Sequence, residues 1–206
     1  ETRIDGKARN LLELKDAMSA SISVDMATLP IPVDLFVFTK HPDLRDSVLV
    51  ITDSSGKLLF RVDHAGPTSY ASHKLLVIDA SGTILFSIHR RDESSWLGFK
   101  WNNSGEMELE FKVKRTMKSL LGCEMEVFLV RKMSPIAKPE FKLKGFAYQR
   151  SCTIFKGNSI VAETSLMYKL HEIFKLSGRS KFRLTIFPGA VDGALLAALA
   201  AVFLHG

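Results

Sequence analysis

Cysteine is scarce in this 206-residue chain, and its scarcity excludes several classes of protein. The two cysteines are Cys123 and Cys152. Two thiols so far apart in sequence cannot form a disulfide framework, a CxxC redox pair or a four-thiolate zinc site. We therefore expect the protein to act in a reducing compartment, with an intracellular, cytoplasmic location.

The sequence also lacks segments that direct a chain into or across a membrane. Residues 1–28 alternate charged and polar residues, with no apolar core before a small-residue cleavage site, so they are unlike a secretory signal. No apolar run reaches the ~20 residues that a transmembrane helix needs. Peripheral attachment to the plasma membrane stays compatible with the sequence, and so does a nuclear location.

Motifs for catalysis are missing as well. The chain has no Gly-x-Ser-x-Gly elbow, no glycine-rich phosphate loop and no His-Glu-x-x-His motif. Its histidines are scattered, and His64 and His73, which flank one loop, lack a carboxylate at a spacing that suits zinc. We expect a non-enzymatic protein with no catalytic residues, no cofactor and no metal ion.

Charge is present but dispersed along the chain. Lys and Arg number 28 against 22 Asp and Glu, which gives a formal net charge of +6. This balance is compatible with an anionic partner. The basic residues form no lysine block, no basic heptad region and no zinc-finger spacing, so we expect no specific nucleic-acid binding.

The chain divides into a short appendage, residues 1–28, and one domain, residues 29–206. Within the appendage, Leu11, Leu14 and Met18 recur at helical spacing among charged residues, which predicts a short amphipathic helix; a frayed tail is the alternative. The remainder is long enough for one well-buried core. We expect a single folded domain and a monomer.

Two matching segments predict β-hairpins. Asp53 begins and Gly56 ends a turn between two apolar runs, and Asp79 and Gly82 stand in the same places in a second copy. An Asp in the first position bonds the following amides, and a Gly in the fourth accepts the exit geometry of a type I turn. We interpret both aspartates as turn residues, because a calcium site needs more oxygen donors than these loops supply.

Further β-like stretches continue from the hairpins toward the C-terminus. With the segments at 33–39, 49–62 and 75–88, they fall at about residues 95–101, 107–114, 124–130, 141–148, 151–156, 159–166 and 182–187. Roughly a dozen short strands with short connections predict a mainly β fold, either a sandwich or a closed barrel. We favour the closed β-barrel, because closure removes exposed strand edges.

The C-terminal segment predicts a hydrophobic helix. Pro188 and Gly189 end the last strand, and Asp192 can cap a helix that is apolar on every side. About twelve residues span only ~18 Å, less than the ~30 Å of a bilayer core, so we place the helix inside the barrel. A membrane hairpin or signal-anchor is the alternative. With the cap Asp192, the predicted barrel-core residues are Leu195, Leu196, Leu199, Val202 and Phe203.

Large apolar side chains elsewhere are interpreted as core. Trp96 and Trp101 are expected to form a layer of the barrel interior. The methionines lie on separate elements and are expected to fill core gaps or the undersides of loops; they are Met107, Met117, Met125, Met133 and Met167.

The order of these features resembles the LURP-one-related family of plant proteins, over about Pro30 to Phe203. The resemblance rests on the two Asp-x-x-Gly hairpins, Trp96 with Phe99, the run Phe111-Lys112-Val113-Lys114-Arg115, and Pro188-Gly189 leading through Asp192 into the apolar helix. It implies a tubby-like barrel of twelve strands around a buried C-terminal helix, shared with phospholipid scramblases. It also implies a link to plant defence for some members, and phosphoinositide recognition for membrane-tethered tubby relatives.

The candidate functional residues are basic. Our first hypothesis is that they meet on one face and bind an anionic phospholipid surface, with phosphoinositide headgroups as ligands. The alternative is a solvated strand face that keeps the protein soluble. The candidate residues are Arg90, Arg91, Lys112, Lys114 and Arg115.

Two other functions are compatible with the resemblance. One is a soluble protein-interaction scaffold in defence signalling, with unknown protein partners and with loops 69–72 and 133–135 as contact or phosphorylation points. The other is scramblase-like lipid transport, which would need a membrane-inserted helix and a calcium site. The sequence supports transport least, because it predicts neither feature.

Overall fold

The computed structural model describes residues 31–39, 41–44, 46–66, 74–101, 105–119, 122–130, 138–167, 180–189 and 192–205. The predicted N-terminal helix, His73, Met133 and the loops 69–72 and 133–135 lie outside these ranges. Twelve strands are β1 Val33–Phe38, β2 Leu49–Thr52, β3 Leu58–His64, β4 Lys74–Asp79, β5 Ile84–Arg90, β6 Ser95–Trp101, β7 Met107–Ser119, β8 Gly122–Leu129, β9 Phe141–Phe146, β10 Ser151–Lys156, β11 Ser159–Leu166 and β12 Lys181–Ile186. The helix α1 spans Gly193–His205, and a 3-10 turn spans Ala147–Gln149.

The strands form a closed antiparallel barrel, as the sequence predicted. Each strand pairs with its neighbours in sequence, and β1 closes the sheet by pairing with both β2 and β12. Phe38, for example, lies opposite Val50 on β2 and opposite Lys181 on β12. Because every strand has two partners, the barrel leaves no strand edge open within the described residues.

Both predicted hairpin turns are present. The Asp53 carboxylate accepts hydrogen bonds from the backbone amides of Ser55 at 2.8 Å and Lys57 at 2.9 Å, and Gly56 has a φ of 87°. The Asp79 turn repeats this geometry. The aspartates thus act as turn residues, because their oxygens are engaged by the amides of their own loops.

The helix α1 lies inside the barrel, as predicted. Asp192 caps its N-terminus, because its carboxylate accepts a hydrogen bond from the Ala194 amide at 2.9 Å. The predicted core residues Leu195, Leu196, Leu199, Val202 and Phe203 are at most 5% exposed and belong to the same apolar cluster as the strands. The strands cover the apolar faces of α1, which a membrane hairpin would leave to lipid. Among the described residues, no helix combines the length and the apolar character needed to cross a bilayer.

The course of α1 distinguishes the two ends of the barrel. It begins at Asp192, just after β12, and its last turn packs near the 3-10 turn between β9 and β10. We call the end where α1 begins the N-terminal mouth and the end where it finishes the C-terminal mouth. The turns at Asp53 and Asp79 lie at the N-terminal mouth. The ends of β3, β5 and β7 lie at the C-terminal mouth.

The prediction that both tryptophans are core residues was half wrong. Trp96 is 4% exposed, but Trp101 is 45% exposed at the end of β6, opposite Met107. The two tryptophans are five positions apart, and an odd spacing places them on opposite faces of a strand. Met125 fills the core as expected, whereas Met107, Met117 and Met167 are exposed.

Candidate functional site

Trp96 lies beneath two arginines at the C-terminal mouth. Register places Arg90 of β5 opposite Trp96 of β6, which in turn pairs with Val113 of β7. The guanidinium carbon of Arg90 is 5.7 Å from the centroid of the Trp96 ring, and that of Arg115 is 4.9 Å from it. Both cations are held by the negative face of a buried indole.

The two guanidinium groups also share one backbone acceptor. Arg90 Nη2 and Arg115 Nη1 donate to the carbonyl oxygen of Glu93 at 3.3 and 3.1 Å, and Arg90 Nε donates to the Asp92 carbonyl at 3.1 Å. The Arg115 amide donates to the Ser94 carbonyl at 2.7 Å. The turn between β5 and β6 therefore fixes both side chains in one place.

Asp92 makes that turn rigid. Its carboxylate accepts hydrogen bonds from the Ser94 amide at 2.8 Å, from the Ser94 hydroxyl at 3.0 Å and from the Ser95 hydroxyl. These bonds, that of Ser95 foremost, lower the pKa of Asp92 to about 2. The carboxylate is thus ionised at neutral pH and keeps the Asp92 and Glu93 carbonyls positioned for the arginines.

An open groove of about 470 Å³ lies beside the arginine pair. Hydroxyl groups and basic side chains dominate its lining, and Glu93 is its single acidic residue. The groove is lined by Arg90, Glu93, Ser94, Arg115, Thr116, Met117 and Lys118.

The groove carries a net positive charge, because its three basic side chains outnumber the single carboxylate of Glu93. No described carboxylate forms an ion pair with Arg90, Arg115 or Lys118, and Arg115 Nε is buried without a hydrogen-bond partner. Lys144, in contrast, contacts Glu124 at 3.0 Å. A buried donor without an acceptor costs free energy, and the unpaired cations leave the groove attractive to an anion.

A histidine that is neutral at pH 7 lies at the same mouth. His205, at the end of α1, has its pKa lowered to about 4 by desolvation and by the neighbouring charges of Arg150 and His64. Although the residue is exposed overall, the atoms of the mouth displace part of the water around its ring. Among the described residues, no three His, Cys, Asp or Glu side chains converge as a metal ion would require.

The sequence that forms the barrel and the site matches a known protein family. The sequence model described as LURP-one-related matches residues 33–204. This chain belongs to the LURP-one-related family. It is 44% identical to Protein LURP-one-related 7 of Arabidopsis thaliana over 176 residues, which cover 85% of this chain and 91% of that protein.

A second relative and a solved structure agree with this assignment. Protein LURP-one-related 15 of Arabidopsis thaliana is 30% identical over 178 residues, covering 84% of this chain and 79% of that protein. An X-ray structure of an Arabidopsis thaliana protein superposes with a TM-score of 0.58 at 27% identity, over 89% of this chain and 97% of that one. The family and fold predictions are confirmed.

The structure brings together two of the five basic residues that the sequence singled out in this LURP-one-related domain. Arg90 and Arg115 meet over Trp96. Arg91 is exposed one residue further into the turn, where its amide donates to the Ser95 carbonyl at 3.0 Å. It lies beside the groove but does not line it.

Lys112 and Lys114 lie elsewhere, on the outer wall of the barrel. They alternate with the buried Val113 along β7, so they face the opposite side from Arg115. Lys114 is directly opposite Glu126 on β8, which also contacts Lys142. This wall mixes both signs of charge, as a solvated strand face does.

Sequence reasoning missed three polar residues of the groove: Ser94, Thr116 and Lys118. A β-bulge in β7 between Arg115 and Met117 leaves Thr116 as an extra residue, which changes the side to which the following residues point. Ser94 follows Asp92 in the pattern Asp-x-Ser, a signal of an Asx turn.

Proposed function

We propose that this LURP-one-related domain is a non-enzymatic module that binds anionic phospholipid headgroups, phosphoinositides above all, in the groove at the C-terminal mouth. The observation that carries the proposal is the meeting of Arg90 and Arg115 over Trp96, with the buried Arg115 Nε unpaired. The protein would then act at the cytoplasmic surface of a membrane, without crossing it.

The chemistry of the groove suits a phosphate monoester. A guanidinium presents several N–H donors in a planar fork that matches two phosphate oxygens. The hydroxyls of Ser94 and Thr116 already donate to Asp92 and to the Glu124 carbonyl, so the donors for a phosphate are those of the basic side chains, with Lys118 as a mobile charge at the rim. Each basic residue near an anionic membrane contributes about 1 kcal/mol.

The arginine pair is prepared for binding before a ligand arrives. Trp96 and the Glu93 carbonyl already fix both guanidinium groups, so little side-chain freedom is lost when a phosphate binds. Glu93 presents its carbonyl to the arginines, and its own side chain is exposed to solvent.

Charge reversal at the rim tests the proposal. Co-sedimentation with phosphoinositide-containing vesicles is compared for the wild type, Lys118→Glu and the control Lys57→Glu, which makes the same charge change at the N-terminal mouth. We expect Lys118→Glu to weaken binding by about 1 to 2 kcal/mol, or roughly five- to thirty-fold, and Lys57→Glu to have little effect. Equal effects of the two variants would contradict a site at the groove.

A soluble protein-interaction scaffold, with a role in defence signalling, is the second candidate, and one observation favours it. Trp101 and Met107 lie opposite each other at the N-terminal mouth, 45% and 40% exposed. Exposed aromatic and methionine side chains are typical of protein interfaces. Affinity capture from plant extract with the wild type and Trp101→Ser tests it: a partner lost with Trp101 supports a scaffold, and identical captures argue against one at this mouth.

A further inference from the structure

We propose that Met117 and Phe146 form an apolar pair that inserts into the interfacial layer of an anionic bilayer while the neighbouring groove holds a headgroup. This inference rests on the proposed function, because it assigns the groove's ligand to a membrane instead of to a soluble phosphate compound.

The two side chains share one exposed site on the outer face of the C-terminal mouth. Met117 is 44% exposed and Phe146 is 40% exposed. Both lie over Gly122: a Cβ placed there would be 3.9 Å from Phe146 Cε1 and 4.0 Å from Met117 Cε. The missing side chain at Gly122 lets the ring and the thioether lie over the same residue.

The pair stands at the projecting end of the barrel. The strand β7 has 13 residues, whereas the other strands have between 4 and 8. Met117 is two residues beyond Arg115, or about 7 Å at the rise of an extended strand. It also lines the groove, so the apolar pair and the headgroup site are continuous.

Charge complementarity identifies an anionic bilayer as the occupant. Arg115 and Lys118 lie on the groove side of the pair, and Arg150 follows Phe146 by four residues. Cations beside exposed apolar side chains are the arrangement by which peripheral proteins combine headgroup attraction with shallow insertion.

Exposed apolar side chains are present at both mouths of the barrel, so they alone do not determine which mouth faces the membrane. Trp101 and Met107 are as exposed as Met117 and Phe146. The basic groove, however, is lined by Met117 and not by Met107. The C-terminal mouth is therefore the end that we expect to face the membrane.

The main test uses Phe146→Ser, because Phe146 does not line the groove, and the matched control Trp101→Ser. Both proteins are titrated with phosphoinositide-containing vesicles and, separately, with a soluble inositol phosphate. We expect Phe146→Ser to lower vesicle affinity about tenfold, the loss that corresponds to one large apolar side chain, with unchanged binding of the soluble compound. We expect Trp101→Ser to behave as the wild type in both.

A fluorescent reporter gives a readout that does not depend on affinity. Phe146→Trp in a Trp101→Phe background leaves the buried Trp96 as the other indole. We expect a blue shift and protection from an aqueous quencher when phosphoinositide vesicles are added, and no shift with the soluble inositol phosphate.

The outcomes separate the two proposals. Unchanged vesicle affinity for Phe146→Ser, or a reporter that stays accessible to the quencher on bound vesicles, would overturn the insertion while the headgroup site stands. If the wild type binds neither the vesicles nor the soluble inositol phosphate, both the insertion and the headgroup site are overturned. A protein captured through Phe146 without vesicle binding would assign this surface to a protein partner and overturn the insertion.

Discussion

The guanidinium groups of Arg90 and Arg115 donate hydrogen bonds to the same oxygen, the carbonyl of Glu93, at 3.3 and 3.1 Å. Like charges are brought together here by a backbone acceptor and by the ring of Trp96, and not by a carboxylate. Such an arrangement keeps the positive charge available to a ligand, since an ion pair would neutralise it.

Arg115→Lys should weaken headgroup binding although it preserves the charge. A lysine ammonium cannot contact two phosphate oxygens as a fork, and it cannot reproduce the planar contact with Trp96. We expect a loss of about 1.5 to 3 kcal/mol in calorimetric titration with a soluble inositol phosphate, typical of hydrogen bonds to charged groups. Wild-type affinity in this variant would mean that only net charge matters.

Asp92→Ala should destabilise the groove's turn in a pH-dependent manner. The folded pKa of Asp92, about 2, lies below its ordinary value of 3.8. The ionised carboxylate therefore stabilises the fold fully above pH 3.8, and this contribution is lost as the pH falls toward 2. Thermal melts of both proteins should differ at neutral pH and converge in acid; a gap that persists below pH 2 would contradict this account.

His205→Gln should remove part of the acid sensitivity of the barrel. The pKa of His205 is lowered to about 4 from an ordinary 6.5. Between these two pH values the imidazole is therefore protonated in the unfolded chain and neutral in the folded protein. Stability should therefore fall as the pH drops through this window, and above pH 6.5 the group should contribute no pH dependence.

Denaturant unfolding at about pH 7.5 and about pH 5 measures this effect of His205. The wild type should lose more stability between the two conditions than the variant does. Burial and the charge of Lys74 also lower the pKa of His89, and since His89 is present in both proteins its contribution cancels in the comparison.

Gly98→Ala should destabilise the barrel beneath the groove. Gly98 lies opposite Phe111, and an added Cβ would overlap the Phe111 ring, which is fully buried. We expect a loss of ~1–3 kcal/mol in the free energy of unfolding, the usual cost of overpacking a core. In a double-mutant cycle, Phe111→Leu should recover part of this loss; strictly additive effects would argue against the overlap.

The architecture was largely predictable because its signals are local. The Asp-x-x-Gly turns at Asp53 and Asp79, the alternation along the strands and the apolar segment after Asp192 each determine the structure of their own neighbourhood. The length of that segment, short for a membrane and apolar on every side, sufficed to place α1 inside the barrel.

The candidate site was only partly predictable because it depends on register. Arg90 and Arg115 are far apart in sequence and meet through pairings with Trp96 and Val113 across three strands. The alternation of side chains along β7 is enough to predict that Lys112 and Lys114 face the opposite side from Arg115. The bulge at Thr116 gives no such signal, because it depends on how β8 aligns with β7.

The measurement that tests the central claim most directly is equilibrium binding of the wild type and the double variant Arg90→Gln/Arg115→Gln to vesicles with and without phosphoinositide, at physiological salt. Circular dichroism and thermal melts first establish that the variant retains the barrel. We predict selective binding by the wild type that survives at this ionic strength, where exposed charges are screened within about 8 Å, and its loss in the folded variant. Equal binding of the two proteins, or wild-type binding that does not distinguish the two kinds of vesicle, would contradict the headgroup site.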